Sequence, residues 1–183
     1  METYQVAKVN TPKEQAIEAI DEYLIAARAC IDTRKPDGGI LGYPAALLLL
    51  CATDAIGHGV LQPKNGQHTR LDVLKQSPFN LHLTDGQVGN ITRWYRHLLA
   101  HNGTIAVGVF MEPDTQGQPF DFDRSGAPML IRVPVFYGIV EGAWQRQDKT
   151  AFNPPPATGA QPDPSARPAA FFSTLSPAAS GVV

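Results

Sequence analysis

The sequence predicts a mainly α protein: an antiparallel bundle of about four to five helices, with a small appended β-hairpin or sheet and a disordered C-terminal tail. Three observations carry this expectation. Two capping boxes, Thr11-Pro12-Lys13-Glu14 and Thr84-Asp85-Gly86-Gln87, mark helix starts, each Thr placed to accept a first-turn amide while the residue three on reaches back. Apolar side chains after each box recur at three- and four-residue spacing, the repeat of one helix face. From Asn153 onward proline, alanine and serine dominate, a composition that buries too little surface to order itself.

The first helix begins after Thr11 with proline at its first position, where the missing N–H costs nothing. Ile17, Ile20, Leu24, Ala27 and Ile31 form its core stripe, and Lys35-Pro36-Asp37-Gly38-Gly39 ends it. A second helix over 44–58 is apolar nearly all round, which places it at the centre of the bundle, and Gly57-His58-Gly59 closes it. Residues 60–83 are mixed, with turns at Pro63-Lys64-Asn65-Gly66 and Ser77-Pro78 and a short helix over 70–75. A third long helix starts near Asp85 and runs to a glycine stop at Gly103, burying Val88, Ile91, Trp94, Tyr95, Leu98 and Leu99. Strand composition over 104–111, and two short strands about a turn within 117–133, predict a small antiparallel sheet. Pro134 then precedes a final helix over 135–146, with Phe136, Ile139, Val140 and Trp144 as its stripe.

At 183 residues and 43% apolar the chain builds one substantial core with length left over. The reading is one domain over 1–150 and a flexible Pro/Ala-rich extension over 151–183, which holds one apolar cluster, Phe171-Phe172-Ser173-Thr174-Leu175. A net charge of -2 excludes a general polyanion binder held by bulk electrostatics, so any RNA contact is local. Cys30 and Cys51 match no metal or redox spacing and read as buried thiols of a reducing compartment. His58, His68 and His82 lack ligand spacing, so no metal and no cofactor are expected. The N-terminus has no signal-peptide core, and the apolar stretch over 38–53 is short and broken by Gly42 and Pro44. These features predict a cytoplasmic protein without a membrane span.

Chemistry concentrates in one segment. Arg93, Arg96, His97 and His101 gather at the end of the third long helix, two fixed cations beside two groups that exchange protons near neutral pH. On an α-helical wheel Asn90, Arg93, Arg96, His97 and His101 share a polar arc roughly 140° wide, with Arg96 and His101 at its edges. A substrate group or a second copy of the helix must therefore lie across the stripe. His101 sits in the last turn, where the helix dipole favours its imidazolium. Asp54, ending the aliphatic second helix, needs a partner, and a backbone amide, Arg93 and Arg96 are the candidates.

In Arg96-His97-Leu98-Leu99-Ala100-His101 the chain resembles the HEPN superfamily of small helical proteins, whose motif is an arginine, a polar residue and a histidine after four to six intervening residues. The aliphatic stretch from Tyr43 to Gly57, ending near Asp54, is similar to that family's buried core helix, and the similarity covers about 12–145. The resemblance implies a metal-independent endoribonuclease of a toxin–antitoxin or defence type. It also implies a homodimer in which two motif helices meet across a two-fold axis, an RNA substrate, and an antitoxin or a nucleotide as further partner. Arg96, His101 and His97 are then catalytic, with Asp54, Arg93 and Asn102 in support. His101 would move the proton in attack of the ribose 2′-OH on the adjacent phosphate, and Arg96 would hold that phosphate as its charge grows. The alternatives are a catalytically inactive HEPN-like module that binds a nucleotide or a protein, and an adaptor that works through the Phe171-Phe172 cluster.

Overall fold

A computed structural model describes residues 11–61, 70–97 and 109–154, with backbone alone for Trp94, Arg96 and His97. The chain folds into α1 (Pro12–Asp32), α2 (Gly42–Val60), a 3-10 helix η1 (Arg70–Lys75) and α3 (Asp85–Ile91). A π-helical segment (Thr92–His97), strands β1 (Phe110–Glu112), β2 (Phe120–Phe122) and β3 (Pro128–Arg132), and α4 (Val133–Arg146) follow. It is mainly helical with a small three-stranded sheet.

Both capping boxes form. Thr11 Oγ1 accepts from the Glu14 amide at 3.1 Å while Glu14 accepts from the Thr11 amide at 2.9 Å. Ile20, Leu24, Ala27 and Ile31 of α1 are buried against α2, and Ile17 is half-buried at the edge of the core. The turn to α2 is closed by an isolated bridge between Arg34 and Ile40 and by Gly38 at φ 82°, a conformation only glycine adopts without strain.

At 19 residues α2 extends beyond the predicted 44–58 at both ends. By length and composition it could cross a membrane, so its apolar stretch is longer than the sequence suggested, yet half of it is buried inside this fold. Ala45, Ala46, Leu49, Leu50, Ala52 and Ile56 are all at most 1% exposed, with α1, η1 and α4 packed around them. Gly57 and Gly59 permit the closest approaches. A Cβ at Gly57 would stand 2.0 Å from the Arg70 carbonyl oxygen, and one at Gly59 would stand 1.9 Å from the Phe152 ring. Cys30 and Cys51 are half-buried rather than buried, because each lies at the margin of its helix's core stripe.

The sheet departs from the prediction. β2 and β3 pair antiparallel as expected, but β1 runs parallel to β3, with Phe110 opposite Leu130, so the sheet is mixed in the order β1-β3-β2. Only Phe110 and Met111 of the predicted 104–111 strand lie in β1, and 104–108 lie outside the described residues. The C-terminal helix starts earlier than predicted, at Val133, because Pro134 sits inside its first turn rather than before it. Phe136, Val140 and Trp144 of its stripe are buried and Ile139 is half-buried. The tail from 155 onward, with its Phe171-Phe172 cluster, lies outside the described residues.

Candidate active site

The helix that holds the motif is set by its N-terminus. Thr84 Oγ1 accepts from the Gln87 amide at 3.2 Å, and Gln87 Oε1 accepts from the Thr84 amide at 2.8 Å. Along its first three turns Val88, Ile91 and Tyr95 face the core and are at most 1% exposed. The predicted buried face thus holds for these three residues. Trp94's side chain, Leu98 and Leu99 lie outside the described residues.

The expectation of one uninterrupted α-helix from Asp85 to Gly103 is corrected at Thr92. From there to His97 the backbone is π-helical, with bonds reaching one residue further than in an α-helix. The local cause is visible. Thr92 Oγ1 donates back to the Val88 carbonyl at 3.0 Å, and the Thr92 amide is shared between the Val88 and Gly89 carbonyls. A threonine hydroxyl bonded to the carbonyl four residues earlier competes with the regular ladder and bends a helix. A wider turn rotates each residue less than the α-helical wheel assumes, so the angular separation read for Arg93, Arg96 and His97 does not hold.

Tyr95 lies in this segment. Its ring packs 6.3 Å from that of Phe120 on β2, and Phe120 in turn lies 4.9 Å from Phe136 on α4. The hydroxyl is fully buried without a hydrogen-bond partner among the described residues. Burial first, and the Asp121 carboxylate second, push its pKa well above the usual phenol range.

The polar face of α3 meets the β2–β3 hairpin. Asn90, expected on the open stripe, is half-buried and donates its side-chain amide to the Gly126 carbonyl at 2.7 Å. The turn it holds is rigid in its own right. Asp123 Oδ1 accepts from the Ser125 amide, the Ser125 hydroxyl and the Ala127 amide at 2.8, 2.7 and 2.9 Å, and these bonds hold its carboxyl below the usual range. Arg93 is exposed on the next turn of the helix, and Arg124 is exposed at the tip of the hairpin. Neither has an ion-pair partner among the described residues.

The remaining site residues are placed as follows. Asp54 accepts from Arg70 at 3.3 Å, with its side chain 16% exposed. Arg70 opens η1 and was not among the partners the sequence offered, since nothing in the mixed 60–83 stretch fixes where that residue folds back. Arg96 and His97 are placed by their backbone in the π-helical segment, which packs against α2, the helix that carries Asp54. His101 and Asn102 lie outside the described residues, as does His68. His82 is exposed in the loop before α3, and His58 lies in the last turn of α2. No cluster of metal-ligating side chains occurs among the described residues.

Comparison with protein-family models, with curated proteins and with solved structures finds no match to this chain.

Proposed function

We propose that this chain is a metal-independent endoribonuclease of the HEPN type, acting in the cytoplasm in a toxin–antitoxin or defence role. Its helices then form the antiparallel bundle of that family, and two copies associate so that the motif helices face each other across a two-fold axis. The observation that carries the reading is the motif's place. Arg96 and His97 stand in a π-helical turn of a capped helix, packed against the central helix that bears Asp54. Short π-helical turns inside α-helices recur at functional sites, where they re-aim side chains at the expense of regular bonding.

In this reading Arg96 binds the scissile phosphate with a permanently charged, planar fork. His101 removes the 2′-OH proton or protonates the leaving oxygen, and His97 supplies the second transfer group or polar support. One helix offers few groups for a complete site, so the two-fold axis brings Arg96 and His101 of both copies into one cleft. Asp54, Arg93 and Asn102 support the motif, and an antitoxin or a nucleotide is the partner that would restrain it.

The test is incubation of the purified protein and its His101→Ala variant with total RNA in EDTA, with cleaved ends mapped. Cleavage by the wild type alone, leaving 2′,3′-cyclic phosphate ends, is the expected result. If folded, dimeric wild type leaves the RNA intact, the nuclease reading fails and a catalytically inactive binding module takes its place.

A further inference from the structure

Where the loop before α3 meets the hairpin there is a cavity of about 210 Å³. One wall comes from His82, Leu83 and Gln87, at the start of the motif helix. The other comes from Gln118, Phe120 and Phe122, on the hairpin that Asn90 ties to that same helix. Phe120 is 4% exposed and belongs to the floor, whereas Phe122 is half-buried and His82 and Gln118 are exposed. Ligand pockets for drug-sized molecules span about 300–1,000 Å³, so this one suits a single flat ring system rather than a whole nucleotide.

Its polar inventory is specific. Gln87 Oε1 is engaged in the capping box, which leaves the Nε2 donors of Gln87 without a partner among the described residues. The side-chain amide of Gln118 is likewise without one, its carbonyl partner Arg132 being bound to the Gln118 backbone at 3.0 Å. Two unengaged amides beside an aromatic face are the elements with which single-stranded RNA is read, one by hydrogen bonds to base edges and the other by stacking.

Position supplies the rest. Gln87, Asn90 and Arg93 succeed one another at three-residue spacing on the helix that Asn90 ties to the hairpin, and both Arg93 and the hairpin's Arg124 are exposed. We propose that this cavity receives one nucleobase of a single-stranded RNA bound along the motif helix. Phe122 gives the stacking face, Gln87 and Gln118 read the base edge, and Arg93 and Arg124 contact the flanking phosphates. The assignment rests on the nuclease reading for its choice of RNA, while the base preference is a property of the cavity alone.

Gln87→Glu separates the two roles of that residue, since Glu at the same position of the box keeps the acceptor for the Thr84 amide and removes the amide donor. The experiment measures binding of short 2′-O-methyl homopolymers of each base, which resist cleavage, to wild type, Gln87→Glu and Phe122→Leu, alongside the cleavage-site sequences of each on unmodified RNA. Wild type should prefer one base by at least about tenfold, and both variants should lose that preference while retaining their circular dichroism and melting temperature. Equal binding of all four homopolymers by wild type, or an unchanged preference in both variants, overturns the cavity assignment. Cleavage that persists with an unaltered site pattern does so while leaving the nuclease intact. Base-selective binding without any cleavage removes the nuclease and keeps the cavity, and absence of both binding and cleavage removes the two together.

Discussion

Tyr95 is buried with a hydroxyl that has no hydrogen-bond partner among the described residues, and the physical expectation for such a group is a penalty that its removal relieves. Tyr95→Phe keeps the ring against Phe120 and should raise stability by about 1 kcal/mol, read as a higher urea midpoint at unchanged slope. A lower midpoint would mean that the hydroxyl has a partner in the folded protein. Tyr137 gives a second residue-scale expectation. Burial, and then donation to Glu141 at 2.6 Å, push its pKa up to about 12 from 10.0. A raised phenol pKa means that the fold favours the neutral form. Its contribution is therefore complete below pH 10.0 and is lost as pH rises toward about 12, where the unfolded chain ionises first. Unfolding free energy should fall over that window in the wild type and fall less steeply in Tyr137→Phe.

The elements show what kind of information a linear sequence holds. Both capping boxes, the α1 stripe, a short helix over Arg70–Lys75, though not its 3-10 form, and the β2–β3 turn were legible because each is decided by residues within a few positions of one another. The parallel pairing of β1 was not, since it depends on where a long connection returns. Nor was the π-helical turn, which the sequence marks only by Thr92 inside an otherwise regular pattern. Within the candidate site, residue types and spacing were legible, whereas the Asp54–Arg70 pair and the Asn90 tether depend on contacts across loops. Glycines make the same point in a testable form. At Gly89 a Cβ would meet nothing within 4 Å, so Gly89→Ala should stabilise α3 by up to about 1 kcal/mol through helix propensity alone. At Gly57 it would meet backbone, which cannot step aside, so Gly57→Ala should cost about 1–3 kcal/mol despite the same gain in propensity. Thermal melts of the two variants should move in opposite directions.

At the scale of the molecule, the core is closed by a residue beyond the last helix. Phe152 is 1% exposed, stands edge-on to Trp144 at 5.3 Å and fills the space left by Gly59. The Asn153 amide donates to the Gly59 carbonyl at 3.1 Å, tying the chain to the end of α2. Trp144 is meanwhile anchored to α1 through a 2.6 Å bond from its indole to Asp21, so α1, α2 and α4 converge on this corner. The sequence reading ends the domain at about residue 150, three residues before the change of composition at Asn153, and the packed structure continues through Phe152. Nothing local to residues 151–152 marks that continuation, because it depends on a ring meeting a glycine on a distant helix. A chain ended after residue 150 removes that ring and exposes Trp144 and the α2 terminus. Losing a buried phenylalanine costs about 3–5 kcal/mol, a large share of the roughly 5–15 kcal/mol that holds a domain folded. A chain ended after residue 154 should therefore keep most of the full-length melting temperature, while one ended after 150 should melt far lower. Equal melting of the two would show that the corner formed by Gly59, Trp144 and Phe152 adds little to the fold.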